Sequence, residues 1–344
     1  MAINLTSLGT TPSGEELQHV IIQNKNGHKL GLVSWGASWQ SFKTAAGQDL
    51  VLGFHDVDSY LNNNYYIGNA VGRVAGRIDG ANFDLEGHNY QLDQNEGNNT
   101  LHGGEKSFSH RNWEIKELDE INNRVVFGTS LDENEDHFPG TMQVTVTYAL
   151  SDTDEVTLEF SALSDKTTLF NPTSHVYFNM GGLETDANKM QLQIKADRYM
   201  ELRKTDKIPT GKLLPVEGTA YDFNTVTTIG EAIAEIPSDD FDKKFDDVFA
   251  LDSKYQTNVV LSDPVSKRAV EMTTDRNAVV FFITNPEVDN YSDQAAFLAE
   301  HPYNGVALEA QTLSDSIHHP EFGDIVLPAN QQKTYTTKYA FKNL

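Results

Sequence analysis

Along much of this chain apolar and polar residues alternate one for one, the period of a strand with one face buried. The run MQVTVTYAL (142–150) is the clearest case, and VTLEFSAL (156–163) repeats it after the five-residue turn SDTDE. Together they predict a β-hairpin. Alternating or β-branched runs recur at MQLQIKA (190–196), NVVLS (258–262), AVVFFIT (278–284) and KTYTTKYAF (333–341). NFDL and HNYQL flank Glu86-Gly87 within 82–92 and predict a tighter hairpin. Helical periodicity is confined to TIGEAIAEI (228–236) and, more weakly, SYLNNNYYIG (59–68). Heptads, fixed-period repeats and Pro- or Ser-rich linkers are absent. The pattern predicts an all-β fold, a large antiparallel β-sandwich with few short helices, as one domain over residues 1–344.

Charge narrows the function. With 26 Lys plus Arg against 50 Asp plus Glu, the formal net charge is -24. Phosphate backbones and anionic lipid surfaces are repelled by such a chain, so no nucleic acid and no membrane partner is expected, and a neutral small molecule fits better. There are no cysteines, which excludes disulfides, thiolate nucleophiles and sulfur-ligated zinc. The first residues, MAINLTSLGTTPSGEEL, lack the basic and apolar regions of a secretory signal, and no run of about 18 apolar residues occurs. A cytoplasmic location follows as the expectation.

Five stretches carry ionisable groups in unusual settings. In FNPTSHVYFNMGG (170–182), read as extended, His175, Tyr177 and Asn179 share one face and Ser174, Val176 and Phe178 the other. A histidine bonded at the edge of a core and a functional histidine both fit that pattern. In AVGRVAGRIDG (70–80), glycines punctuate Arg73 and Arg77; the segment lacks the GK[ST] ending of a phosphate loop, and solvated arginines on turns are the alternative to a binding fork. His102 precedes Gly103 and Gly104 in an asparagine-rich loop, NEGNNTLHGGEKSF (95–108), where ordinary turns or close approach to a ligand explain the glycines equally. Asp246 and Asp247 in KKFDDVFAL (243–251) face opposite ways if extended, so at most one addresses a pocket. In NGVALEAQT (304–312), Val306, Leu308 and Ala310 take one face, and Gly305, Ala307, Glu309 and Gln311 the other. A carboxylate among small residues on a sheet face is costly unless paired or functional. Two histidines, two carboxylates, an arginine and aromatics suit a polyol whose C–H face stacks on rings while planar groups hold its hydroxyls.

The ordered set AGRI, NTLHGG, NPTSHVYFN, FDD before a hydrophobic strand, and ALEAQT resembles the galactose mutarotase (aldose 1-epimerase) family, from about Gly31 to the last strands. The resemblance implies a sugar bound on a concave sheet face and a cofactor-free exchange of anomers, with galactose or glucose as substrate and a monomer or homodimer as the assembly. It implies Glu309 as catalytic base and His175 as general acid, His102 beside the ring oxygen and C1, Arg77 and Asp246 as hydroxyl ligands, and Phe282 lining the pocket. On that mechanism His175 is expected protonated, its pKa raised by a neighbouring carboxylate, and Glu309 ionised with help from Gln311. Gly76 and Asp247 depart from the family pattern, which often has Asn before the arginine and His or Asn after the aspartate. No metal is expected, although His102, His175 and a carboxylate form a two-histidine, one-carboxylate donor set. Maltose or a phosphorylated hexose are alternative substrates. A glycoside hydrolase using Glu309 and Asp246, or a non-catalytic sugar-binding module, are the competing functions.

Overall fold

A computed structural model describes residues 2–237, 244–283 and 304–344. Its largest sheet has nine strands, in the order Glu114–Asp119, Arg124–Leu131, Met142–Leu150, Glu155–Ser164, Lys333–Lys342, Ala269–Thr274, Val259–Ser262, Gln191–Ile194 and Thr227–Thr228. The predicted hairpin lies within it, Leu150 opposite Val156, and Met142–Leu150 alternates strictly between buried and more exposed positions. The smaller hairpin also forms, Leu85 opposite His88. Each of these strands has one wet face, which is why alternation reveals them.

A second, six-stranded sheet runs Tyr177–Phe178, Val306–Gln311, Ala278–Ile283, Asp246–Ala250, Arg198–Leu202 and Pro209–Pro215, antiparallel throughout. Thr284, the last residue of the run read at 278–284, and Lys243 lie outside the described residues. One buried cluster joins both sheets: Val144, Val146, Leu158 and Phe341 from the first meet Phe249, Val279, Phe281, Val306 and Leu308 from the second, with Trp39 and Phe42 of a four-stranded sheet beside them. Fully burying each such side chain is worth roughly 1.5–3 kcal/mol, so this shared core fixes the second sheet's inner face.

Its outer face is then fixed by register. Glu309 pairs with Val280, Phe282 with both Ala307 and Asp246, and Tyr177 with Ala307. Directly opposite residues point to the same side, so Tyr177, Glu309, Gln311, Val280, Phe282 and Asp246 share one surface.

Two expectations need correction. The weaker helix is only Val57–Leu61, capped by the Asp56 side chain accepting from the Ser59 amide; residues beyond it turn instead of continuing, because Asn62, Asn63 and Asn64 favour local side-chain bonds over helix. The stretch 170–182 is also not one strand. Thr173–Ser174 pairs with Ala70–Val71, the chain breaks at His175, and Tyr177–Phe178 pairs with Val306–Gln311. Asn179 therefore leaves the face of His175, and its amide donates to the Thr185 and Asn304 carbonyls, both at 2.7 Å.

Candidate active site

On the outer face of the six-stranded sheet lies a cavity of about 240 Å³, just below the ~300–1,000 Å³ typical of drug-sized ligands. Glu309, His175, His102, Arg77, Asp246 and Phe282 all line it. The five expected segments, far apart in the chain, converge there.

Glu309 and His175 form the floor, 3% and 5% exposed. The backbone holds His175 on both sides, its amide donating to the Asn69 carbonyl at 2.9 Å and its carbonyl accepting from the Gly68 amide at 3.0 Å. Its ring stacks on Tyr177 with centroids 5.0 Å apart and meets Phe282 edge-on at 5.8 Å. Nε2 lies 3.4 Å from Oε1 of Glu309, while Nδ1 of the histidine and Oε2 of the glutamate are buried without a hydrogen-bond partner among the described residues.

The protonation of this pair differs from expectation. Burial pushes His175 down to about 4, and the attraction of Asp246 recovers only part of that. Burial also raises Glu309 well above the usual carboxylate range, with repulsion from Asp246 added and Arg77 opposing. The contact distance would suit an ion pair, but desolvating two charges in a dry floor outweighs one attraction, so the neutral form prevails. Burial thus favours a neutral imidazole on His175 and a protonated carboxyl on Glu309, one proton between the two. Gln311, expected to help hold Glu309 ionised, donates its amide to Ser314 Oγ at 2.9 Å.

His102 stands in the left-handed region at φ 53°. Its Nδ1 accepts from the Gly76 amide at 3.2 Å, and its own amide donates to the Gly76 carbonyl at 3.0 Å. Burial and the neighbouring His175 hold it well below its ordinary pKa. With Nδ1 accepting in a neutral ring, Nε2 bears the hydrogen and acts as a donor. The glycines after it serve the fold: a Cβ on Gly103, at φ +85°, would stand 2.2 Å from the Gly72 carbonyl oxygen, so the close approach is to main chain.

Arg77 is gripped by Glu96, Nε to Oε2 at 2.6 Å and Nη2 to Oε1 at 2.8 Å, which leaves Nη1 outside the fork. Burial opposes its charge, but Asp246 and Glu96 outweigh burial and keep it protonated. Arg73 is no part of the site; it is fully buried and bound to Asp136. Gly76, at φ +74°, has a reason to be glycine, since a Cβ there would lie 2.7 Å from Ser314 Oγ. Asp246 lines the cavity, while Asp247 turns to the opposite face among Tyr199, Leu214 and Tyr221.

Tyr66 lines the cavity and had not been singled out. It stands at φ 53°, its ring edge-on to His102 at 4.7 Å and nearly parallel to His175 at 6.1 Å, and burial pushes its hydroxyl up to about 12. Two adjacent tyrosines after three asparagines were its only signal. Lys244 sits 5.2 Å over the Phe282 ring. Among the described residues one group has metal-ligand spacing: His102, His175 and Glu309 offer one donor atom each, all within 4.8 Å of one another.

Comparison with known proteins identifies the family of the chain. The family model described as aldose 1-epimerase matches residues 18–340. Maltose epimerase of Levilactobacillus brevis is 34% identical over 346 residues, covering 99% of each chain. Aldose 1-epimerase of Streptococcus thermophilus is 32% identical, covering 100% of this chain and 99% of the relative. Among solved structures, an aldose epimerase homologue from C. elegans superposes with a TM-score of 0.83 at 26% identity, covering 94% of this chain and 98% of that one. Galactose 1-epimerase from Lactobacillus acidophilus gives a TM-score of 0.87 at 24% identity, covering 99% and 98%, a likeness of fold.

Proposed function

This chain belongs to the aldose 1-epimerase family, an isomerase family, and from that premise we propose that its pocket exchanges the α and β anomers of free aldohexoses such as galactose and glucose through the single proton of the Glu309–His175 pair. The observation that carries this is the 3.4 Å contact between two buried titratable groups on the cavity floor. The relative named maltose epimerase supports including reducing disaccharides among the candidate substrates.

Opening the ring requires a proton to leave the C1 hydroxyl and one to reach the ring oxygen. Glu309 takes the first and His175 delivers the second, after which Glu309 is protonated and His175 neutral. That is the form burial favours. Rotation about C1–C2 and reclosure return both protons. A closed sugar needs the other tautomer, reached by transfer across the 3.4 Å contact and stabilised by the sugar's own C1 hydroxyl and ring oxygen. His102 donates from Nε2 beside the reacting edge, while Arg77 and Asp246 hold hydroxyls. Phe282 and Tyr66 offer ring faces to the sugar's C–H surface.

Faster approach of freshly dissolved α-D-galactose or α-D-glucose to the same final optical rotation is the direct test; an unchanged rate with bound sugar would overturn the reading. The pH profile is a second expectation. Activity belongs to the singly protonated pair, so it falls on the acid side as a second proton enters near His175's value of about 4. It falls on the alkaline side when the last proton leaves the raised Glu309. Initial rates should therefore show no His175 inflection at 6.5, the ordinary histidine value; an inflection there that vanishes in His175→Asn would contradict this. Exhaustive chelation is expected to leave the rate unchanged, and a loss restored by a divalent ion would reassign the His102, His175 and Glu309 donors.

A further inference from the structure

We propose that Arg276 is a positioning residue for the acid–base pair: it ties the segment leading to His175 to the segment that follows Glu309, and so keeps the 3.4 Å contact between the two groups. This rests on the hexose reading above. Arg276 lies in the turn 275–277, where the chain crosses from Ala269–Thr274 of the nine-stranded sheet to Ala278–Ile283 of the six-stranded one. It is buried, and no carboxylate is among its hydrogen-bond partners in the described residues. A buried cation without a paired carboxylate is costly, and the proton transfers make no use of it.

Its guanidinium closes a triangle. Nη2 donates to Thr312 Oγ1 at 2.9 Å and to Asn171 Oδ1, and Nη1 donates to the Pro172 carbonyl at 3.4 Å. Asn171 and Thr312 are joined to each other as well: the Thr312 amide donates to Asn171 Oδ1 at 2.9 Å, and the Asn171 side-chain amide donates to the Thr312 carbonyl at 3.1 Å. Asn171 stands four residues before His175 and Thr312 three after Glu309, so one set of hydrogen bonds holds both chains.

The clamp is anchored from behind. The guanidinium carbon lies 3.5 Å over the ring of Tyr335, in Lys333–Lys342 of the large sheet, and the Arg276 amide donates to Thr274 Oγ1 at 3.2 Å. Asn277 repeats the link to the floor, its Oδ1 accepting from the Leu313 amide at 3.1 Å. Burial pulls Arg276 down to about 10, which leaves it cationic at neutral pH. The groups that hold sugar hydroxyls stand outside the triangle, Arg77 gripped by Glu96 and Asp246 in the strand Asp246–Ala250. Loss of the clamp should therefore be read in turnover and not in sugar binding.

The test is polarimetry on α-D-galactose and α-D-glucose with the full chain, with Arg276→Met, and with Thr312→Val, which removes a single acceptor and decides the matter where Arg276→Met does not fold. The expected result is a fall in kcat of about tenfold or more for Arg276→Met and about threefold or more for Thr312→Val, with KM within about twofold, because a displaced pair loses alignment while the sugar keeps its hydroxyl ligands. In a Glu309→Gln background, where the pair is already broken, either change should cost no more than about a further twofold. Folded variants that keep kcat within about twofold of wild type overturn the proposal. So does a KM that rises by as much as kcat falls, or a loss as large in Glu309→Gln as in wild type, since a general loosening of the fold produces both. Wild type inert to both sugars overturns the hexose reading, and the positioning role with it.

Discussion

Glu309→Gln is expected to lower hexose turnover by roughly 10²–10⁴-fold, the contribution of one positioned acid–base group, while the protein stays folded. The amide keeps the shape of the carboxyl but cannot take the C1 hydroxyl proton. It also cannot exchange a proton with His175 across the 3.4 Å contact. Stability is not the confounder, because the substitution removes a buried acid whose Oε2 has no hydrogen-bond partner among the described residues. The amide has the acid's shape and, like the acid in the form burial favours, carries no charge, so the thermal midpoint is expected to stay close to wild type. His175→Asn should cost a similar factor, and if the two groups act through one proton, the double variant should be no slower than the worse single variant. The measurement is the initial polarimetric rate corrected for spontaneous exchange in water. A Glu309→Gln enzyme within a few-fold of wild type would remove Glu309 from the chemistry.

Much of this site was readable because its strands obey a period of two. Val306, Leu308 and Ala310 enter the shared core and Glu309 and Gln311 the cavity, as alternation alone requires. The same logic separates Asp246 from Asp247. What alternation cannot convey is long-range partnering. Arg73 and Arg77 lie four residues apart in similar glycine contexts, yet one is consumed by Asp136 and the other is braced by Glu96 at the cavity. The strand break at His175 arises because different partners claim the residues before and after it. Tyr66 sits in a turn with no periodicity to read. Protonation is hidden for a related reason: a neighbouring carboxylate is visible in sequence, whereas the burial of the floor, which dominates, belongs to the fold.

The largest stability effect is expected at Arg73. Its guanidinium is fully buried and donates to both oxygens of Asp136, at 2.7 and 2.9 Å, and to the Pro139 and Gly140 carbonyls at 3.0 Å. Burial pulls Arg73 downward and Asp136 upward in pKa despite their contact, so the pair is no bargain against an apolar equivalent. Breaking it from one side is a different matter. Arg73→Met leaves the buried Asp136 carboxyl with only the Phe138 amide and takes this donor from the Leu131, Pro139 and Gly140 carbonyls, and should cost about 3–5 kcal/mol in urea unfolding, whereas Arg73→Met with Asp136→Leu should recover most of that. Removing the half-buried Arg203, paired with Asp79 and Asp206 at the surface, should cost under about 1 kcal/mol. The effect should reach activity, because the backbone at Arg73 carries both histidines. The Arg73 carbonyl accepts from the Asn171 amide at 2.8 Å, four residues before His175, and the Gly72 carbonyl is the surface against which Gly103 closes, directly after His102. Arg73→Met should therefore raise KM and lower kcat together even where the protein remains folded. A variant that loses less than about 1 kcal/mol would show that the loop at 132–140 is held by its other contacts and that Arg73 does not brace the floor.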